Sequence, residues 1–161
     1  MKKIIAVCGM ICSGKSHYAN TLQDRENAVL LSTDELTWEL TGNEQGEGYD
    51  RFAKNANRYL MKKAAQIAER GCTVILDWGF WQKADRAALN AFFSERGIPV
   101  EWHYVKAEKE TWERHITLRN REVLAGRGGC SFYVDEGLRQ KLLSLWEEPD
   151  ELEGVTVYRP E

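Results

Sequence analysis

The chain has 161 residues, enough for one domain with a sizeable core and little more. With 43% hydrophobic and 29% charged residues and a net charge of −3, it has an ordinary globular profile. The charge excludes the basic balance that marks an extended nucleic-acid surface, and no apolar run reaches membrane-spanning length. Four cysteines, Cys8, Cys12, Cys72 and Cys130, form no CxxC pair, which argues for reduced thiols in a cytoplasmic protein and against a zinc site.

Residues 3–8 are continuously apolar and predict a buried strand. The opening MKKIIAVCGM reads as this strand and not as a secretory leader, because the apolar run is short and passes straight into GMICSGKS. That octet, Gly9 to Ser16, satisfies G-x-x-x-x-G-K-[ST] at every fixed position, between a strand and a helix starting near Lys15. Its physics is that of an anion cradle. Gly9 and Gly14 let the backbone turn around a phosphate chain, and the loop N–H groups of Cys12, Ser13 and Gly14 can point at it. Lys15 can reach the β- and γ-phosphates, and the Ser16 hydroxyl can ligate Mg²⁺.

A second buried strand is expected at 28–32, then Thr33 and Asp34 as caps of a short helix, ELTWEL. GNEQGEG, 42–48, reads as a mobile loop, and Asp50 as the cap of a long helix that buries Phe52, Ala56, Tyr59, Leu60, Ala64 and Ile67 and ends at Gly71. CTVILD, 72–77, predicts the third strand. A helix over 83–96 is expected to turn Ala84, Ala88, Ala91 and Phe92 inward. A fourth strand at 100–105, a charged helix over about 108–124, a break at AGRGG, a helix from Val134 to Trp146 and a last strand at 155–158 complete the chain. WEEPDELEG, 146–154, reads as a solvated acidic turn. Five strands alternating with helices predict a three-layer α/β fold of the P-loop NTPase type, one domain with a parallel sheet, helices on both faces and an arginine-bearing lid at about 119–133.

The absence of NKxD and DxxG patterns argues against a switch GTPase, and the short chain against a motor ATPase. A small phosphotransferase needs the cradle, a metal, a base for the acceptor hydroxyl and mobile cations. Asp34, just past the second strand, lies where ligands bind in open α/β sheets and is the candidate base; its other fate is a helix N-cap. Asp77, at the end of the third strand, is a candidate to support Mg²⁺, its other fate being a turn. Arg119, and after it Arg127, are the candidate lid cations; solvated charges are the alternative. Trp78, Phe80 and Trp81, with Trp38, either wall an acceptor pocket or pack in the core. No role falls to His17, His103 or His115.

The segments KKIIAVCGMICSGKS, LLSTDEL, VILDWGFWQKADR, VEWHYVKA and WERHITLRN together resemble the P-loop kinase group of polynucleotide kinase, zeta-toxin and chloramphenicol phosphotransferase, and most closely its small bacterial AAA-type ATP-binding proteins. The resemblance implies ATP and Mg²⁺ on Gly9–Ser16, a general base at Asp34, a strand-end carboxylate at Asp77, an arginine at Arg86 and a nucleotide-contacting lid arginine at Arg119. Three cations of the polynucleotide branch are replaced here by Thr33, Thr37 and Val123. The expected acceptor is therefore a small molecule with a hydroxyl group. A polynucleotide 5′-hydroxyl kinase and a non-catalytic ATP-binding regulator are the alternatives.

Overall fold

In the computed structural model, residues 2–42 and 46–161 are described; the loop expected at 42–48 falls in part outside them. Five strands, β1 (Ile4–Cys8), β2 (Val29–Ser32), β3 (Val74–Asp77), β4 (Val100–Val105) and β5 (Thr156–Tyr158), form one parallel sheet in the order β2-β3-β1-β4-β5. Among the described residues six α-helices connect them: α1 (Lys15–Glu26), α2 (Thr33–Thr41), α3 (Tyr49–Glu69), α4 (Lys83–Ser94), α5 (Lys109–Leu124) and α6 (Glu136–Leu145). No helix among the described residues is long and apolar enough to cross a membrane.

Alternation along β1 divides the core. Ile4, Ala6 and Cys8 face α3 and α4, meeting Leu60, Ala64, Leu89 and Phe93. Ile5 and Val7 face the other way, toward Ala19 and Leu22 of α1. A third cluster joins Ile11 and Cys12 of the glycine loop to Trp112 and Ile116 of α5 and Leu142 of α6. The loop is therefore seated on a packed helical platform and does not hang in solvent.

The sequence expectations need correction at several points. Ser32 caps α2 by accepting the Glu35 N–H, so Thr33 and Asp34 lie inside the first turn. Gly48, not Asp50, precedes α3, and Tyr59 on that helix is exposed. On α4 the buried face is Arg86, Leu89 and Phe93; Ala84, Ala88 and Ala91 face solvent. Alanine fits either environment, so its spacing misled, whereas Arg86 is buried because it has a partner. Its guanidinium donates to both Glu153 carboxylate oxygens, at 2.6 and 3.0 Å, and to the Phe80 carbonyl at 2.9 Å.

Glu153 belongs to the acidic stretch expected as a solvated turn. Instead, Glu147 accepts the Lys83 N–H at the start of α4, Glu148 accepts from Tyr104 and Lys106, and Asp150 pairs with Lys83. Asp150 and Glu153 also close a capping box around a single 3-10 turn at 151–153. The stretch is a clamp from the last connection onto α4 and β4. Its donors lie more than forty residues away, so local composition does not reveal them.

Candidate active site

The sheet order brings the chemistry together. β3 lies between β2 and β1, with Asp77 in register with Ser32 and with Val7. Two residues beyond Val7 the chain enters the loop at Gly9, and two beyond Ser32 lies Asp34. The carboxyl ends of three adjacent strands thus deliver the glycine loop, Asp77 and Asp34 to one edge, the position where open α/β sheets bind ligands.

Within the loop, the carbonyls of residues 9–12 all have donors. The Lys15 ammonium donates to Gly9 O at 3.0 Å and Met10 O at 2.8 Å. Trp112 Nε1 donates to Ile11 O at 2.7 Å. His115 Nδ1 lies 2.9 Å from Cys12 O, which can only accept, so the ring carries its proton there. With their carbonyls anchored, Ile11 and Cys12 are held in place, Cys12 with a φ of 57°. Gly14, at φ 100°, opens α1 without a side-chain cap, leaving the first-turn N–H groups available to an anion.

Two observations test whether the residues fit a phosphate. The Ser13 Oγ is buried without a hydrogen-bond partner among the described residues, as a hydroxyl meant for a ligand oxygen would be. A Cβ on Gly9 would stand 2.6 Å from Val105 O and 2.7 Å from Ser13 Oγ, so only glycine leaves the space. The donor set beside this cradle, a Ser16 hydroxyl and the buried Asp77 carboxylate, is all oxygen and suits a hard cation such as Mg²⁺.

The electrostatics couple four groups. Asp34 opens onto solvent on one side, but surrounding protein and the Asp77 charge push its pKa above the usual carboxylate value, against the pull of Lys15 and Arg119. Burial pushes the Lys15 pKa down, while Asp77 and then Asp34 hold it up. Arg119 faces both Lys15 and Asp34 from α5. The site is a compact arrangement of two acids and two bases, with one acid, Asp34, released from capping by Ser32.

Other candidates sit elsewhere. Arg127 is exposed and paired with Glu122 at 2.8 and 3.0 Å, so the structure does not bring it to the site. Trp78 and Phe80 are core residues packed with Trp102 and do not wall a pocket. Trp81 packs instead beside the loop, α5 and α6. Cys8 is buried, which pushes its thiol up to about 12 and makes it inert. Sequence reasoning missed Trp112 and His115, which hold the loop from α5, roughly a hundred positions away. No local pattern signals such contacts.

A strand, a glycine loop opening a helix, and strand-end carboxylates on neighbouring strands define a P-loop domain of the kinase group. The chain belongs to the AAA domain family AAA_33, whose model matches residues 4–128. Among curated proteins none matches it. The fold is similar to that of a sugar kinase from Janibacter sp. HTCC2649 (16% identity, 99% of this chain and 86% of that one, TM-score 0.67). It is similar also to Chaetomium thermophilum Kti12 in complex with ADP-AlF3 (18%, 98% and 88%, TM-score 0.72). A third likeness is to the Mycobacterium tuberculosis APS kinase CysC in complex with AMPPNP and APS (19%, 99% and 88%, TM-score 0.70).

Proposed function

We propose that the protein is an ATP-dependent kinase that transfers the γ-phosphoryl group to a hydroxyl of a small-molecule acceptor. The observation that carries this reading is Asp34: a carboxylate freed from helix capping, set at the mouth of the cradle beside Lys15, Arg119 and Asp77. The sugar kinase and APS kinase of similar fold support the class of reaction.

In this reading Gly9, Cys12, Ser13 and Gly14 hold the phosphate chain through backbone N–H groups and the Ser13 hydroxyl. Lys15 leaves the Gly9 and Met10 carbonyls for the β- and γ-phosphate oxygens. Ser16 and Asp77 would hold Mg²⁺, which when bound neutralises charge on the phosphate oxygens. Asp34 accepts the proton of the acceptor hydroxyl. The acceptor oxygen bonds to the γ-phosphorus as the bond to the β–γ bridging oxygen breaks, and ADP leaves with that electron pair. Arg119 offsets charge on the transferring group. Segment 119–133 serves as the lid, and Arg127 joins Arg119 only on releasing Glu122.

The test is transfer of label from γ-labelled ATP, with Mg²⁺, into pooled hydroxyl acceptors: nucleosides, sugars, amino alcohols, aminoglycosides and 5′-hydroxyl oligonucleotides. Label in a small-molecule pool supports the reading. Label in the oligonucleotide alone would make the protein a polynucleotide kinase. Label only in free phosphate would leave a nucleotide-binding regulator.

A further inference from the structure

The acceptor side of the site has a uniform character. From Thr33 to Asp50 the sequence contains no lysine or arginine, while Asp34, Glu35, Glu39, Glu44, Glu47 and Asp50 are acids. Within the described residues this stretch comprises α2 and the start of α3, the part of the chain that continues from Asp34. What lines it near Asp34 is neutral. The Thr33 hydroxyl donates to Asn57 Oδ1, binding α2 to α3. The Thr37 hydroxyl donates to the Thr33 carbonyl one turn back. Tyr49, half-buried at the start of α3, places its hydroxyl against Thr37 and within the field of Asp34. Trp38 stands one turn beyond Asp34 on the same helix face. Cys130 lies within the fields of Asp34, Glu35 and Arg119, so the acids at the start of α2 and this one arginine share the side of the 125–135 connection.

The cations that could offset this are committed elsewhere. Lys15 lies on the loop carbonyls, the nucleotide side. Arg86 is held by Glu153 and Phe80 O, Arg127 by Glu122, and Arg139 by Glu113. Arg51, Lys54, Arg58 and Lys62 are exposed on α3. The cations that act on Asp34 are Lys15 and Arg119, and the transferring phosphoryl group needs both.

Resting on the kinase reading above, we propose that the acceptor is a hydroxyl compound without phosphate or carboxylate groups, a neutral polyol or an amino alcohol. An anionic group seated between α2, Tyr49 and Cys130 would meet the Asp34 and Glu35 carboxylates, while Arg119, the cation beside them, is engaged by the transferring phosphoryl group. Hydroxyl and amine groups would meet acceptors and an aromatic face. The site discriminates by repulsion, which tunes specificity without adding contacts.

The experiment compares matched acceptors at low ionic strength: glycerol with glycerol 3-phosphate, a hexose with its hexuronic acid, and a nucleoside with its 3′-phosphate, with ethanolamine as the amino alcohol. The expected result is kcat/KM at least about tenfold higher for the uncharged or amine-bearing member, with the ratio shrinking severalfold in 0.5 M salt as screening predicts. Glu35→Lys and Glu47→Lys, both at exposed positions, should shrink it as well; Glu35→Gln serves where a reversal disturbs folding. Preference for the anionic member, or a ratio unmoved by salt and by every substitution, overturns the proposal while leaving the kinase reading standing. Label reaching only free phosphate with every acceptor overturns the kinase reading and this proposal with it.

Discussion

Gly9→Ala tests the cradle most sharply. The new Cβ would stand 2.6 Å from the Val105 carbonyl oxygen and 2.7 Å from Ser13 Oγ, at a φ of +155°. Carbon and carbonyl oxygen sit comfortably at about 3.3 Å, so the backbone must part by roughly 0.7 Å. Neither neighbour yields easily. Val105 ends a buried strand paired with Tyr158 of β5, and Ser13 is itself buried. Overpacking of this kind costs about 1–3 kcal/mol. A displacement approaching 1 Å in the groups that position a substrate costs on the order of a hundredfold in rate. Urea unfolding should therefore show a loss in that range, and calorimetry should show ATP binding weakened at least tenfold in the folded protein. A Gly9→Ala protein with wild-type stability and ATP affinity would refute the reasoning.

Arg86→Ala should destabilise the fold by about 1–3 kcal/mol, because it takes the charged donor from the partly buried Glu153 carboxylate and from the Phe80 carbonyl; unchanged stability in urea unfolding would contradict this. Ser13→Ala removes a buried hydroxyl without a partner, so stability without nucleotide should hold or rise slightly while ATP affinity falls about tenfold, read by calorimetry. Asp34 has a pKa raised in the folded state, so the folded protein binds that proton more tightly than the unfolded chain does. Its contribution to stability is present below the ordinary carboxylate value and is lost as pH rises through the raised one. Asp34→Asn should accordingly raise Tm at neutral pH, and an equal or lower Tm would show that the carboxylate is not crowded.

Most of the architecture is legible in the sequence because its signals are local. Apolar runs mark the strands, and the strand–GMICSGKS–helix succession fixes the cradle and the edge at which it lies. Asp34 and Asp77 are legible for the same reason, since both follow directly from strand ends. Their neighbours are not. Ser32 rather than Thr33 or Asp34 caps α2, a choice among three consecutive residues of similar capping strength that only the backbone decides. Arg86, Trp112, His115 and the acids of 146–154 owe their roles to partners far along the chain. A buried arginine and a solvated one look alike in sequence, and only the structure shows Arg86 buried against Glu153 and Arg127 exposed beside Glu122.

The central claim is that Asp34 serves transfer and not nucleotide binding. The direct measurement is a comparison of wild type, Asp34→Asn and Lys15→Ala, each read for ATP affinity by calorimetry and for label transfer from γ-labelled ATP to the acceptor that wild type uses. Lys15→Ala should lose binding or turnover, while Asp34→Asn should bind ATP nearly as wild type and transfer at least about a hundredfold more slowly. Normal transfer by Asp34→Asn would contradict it.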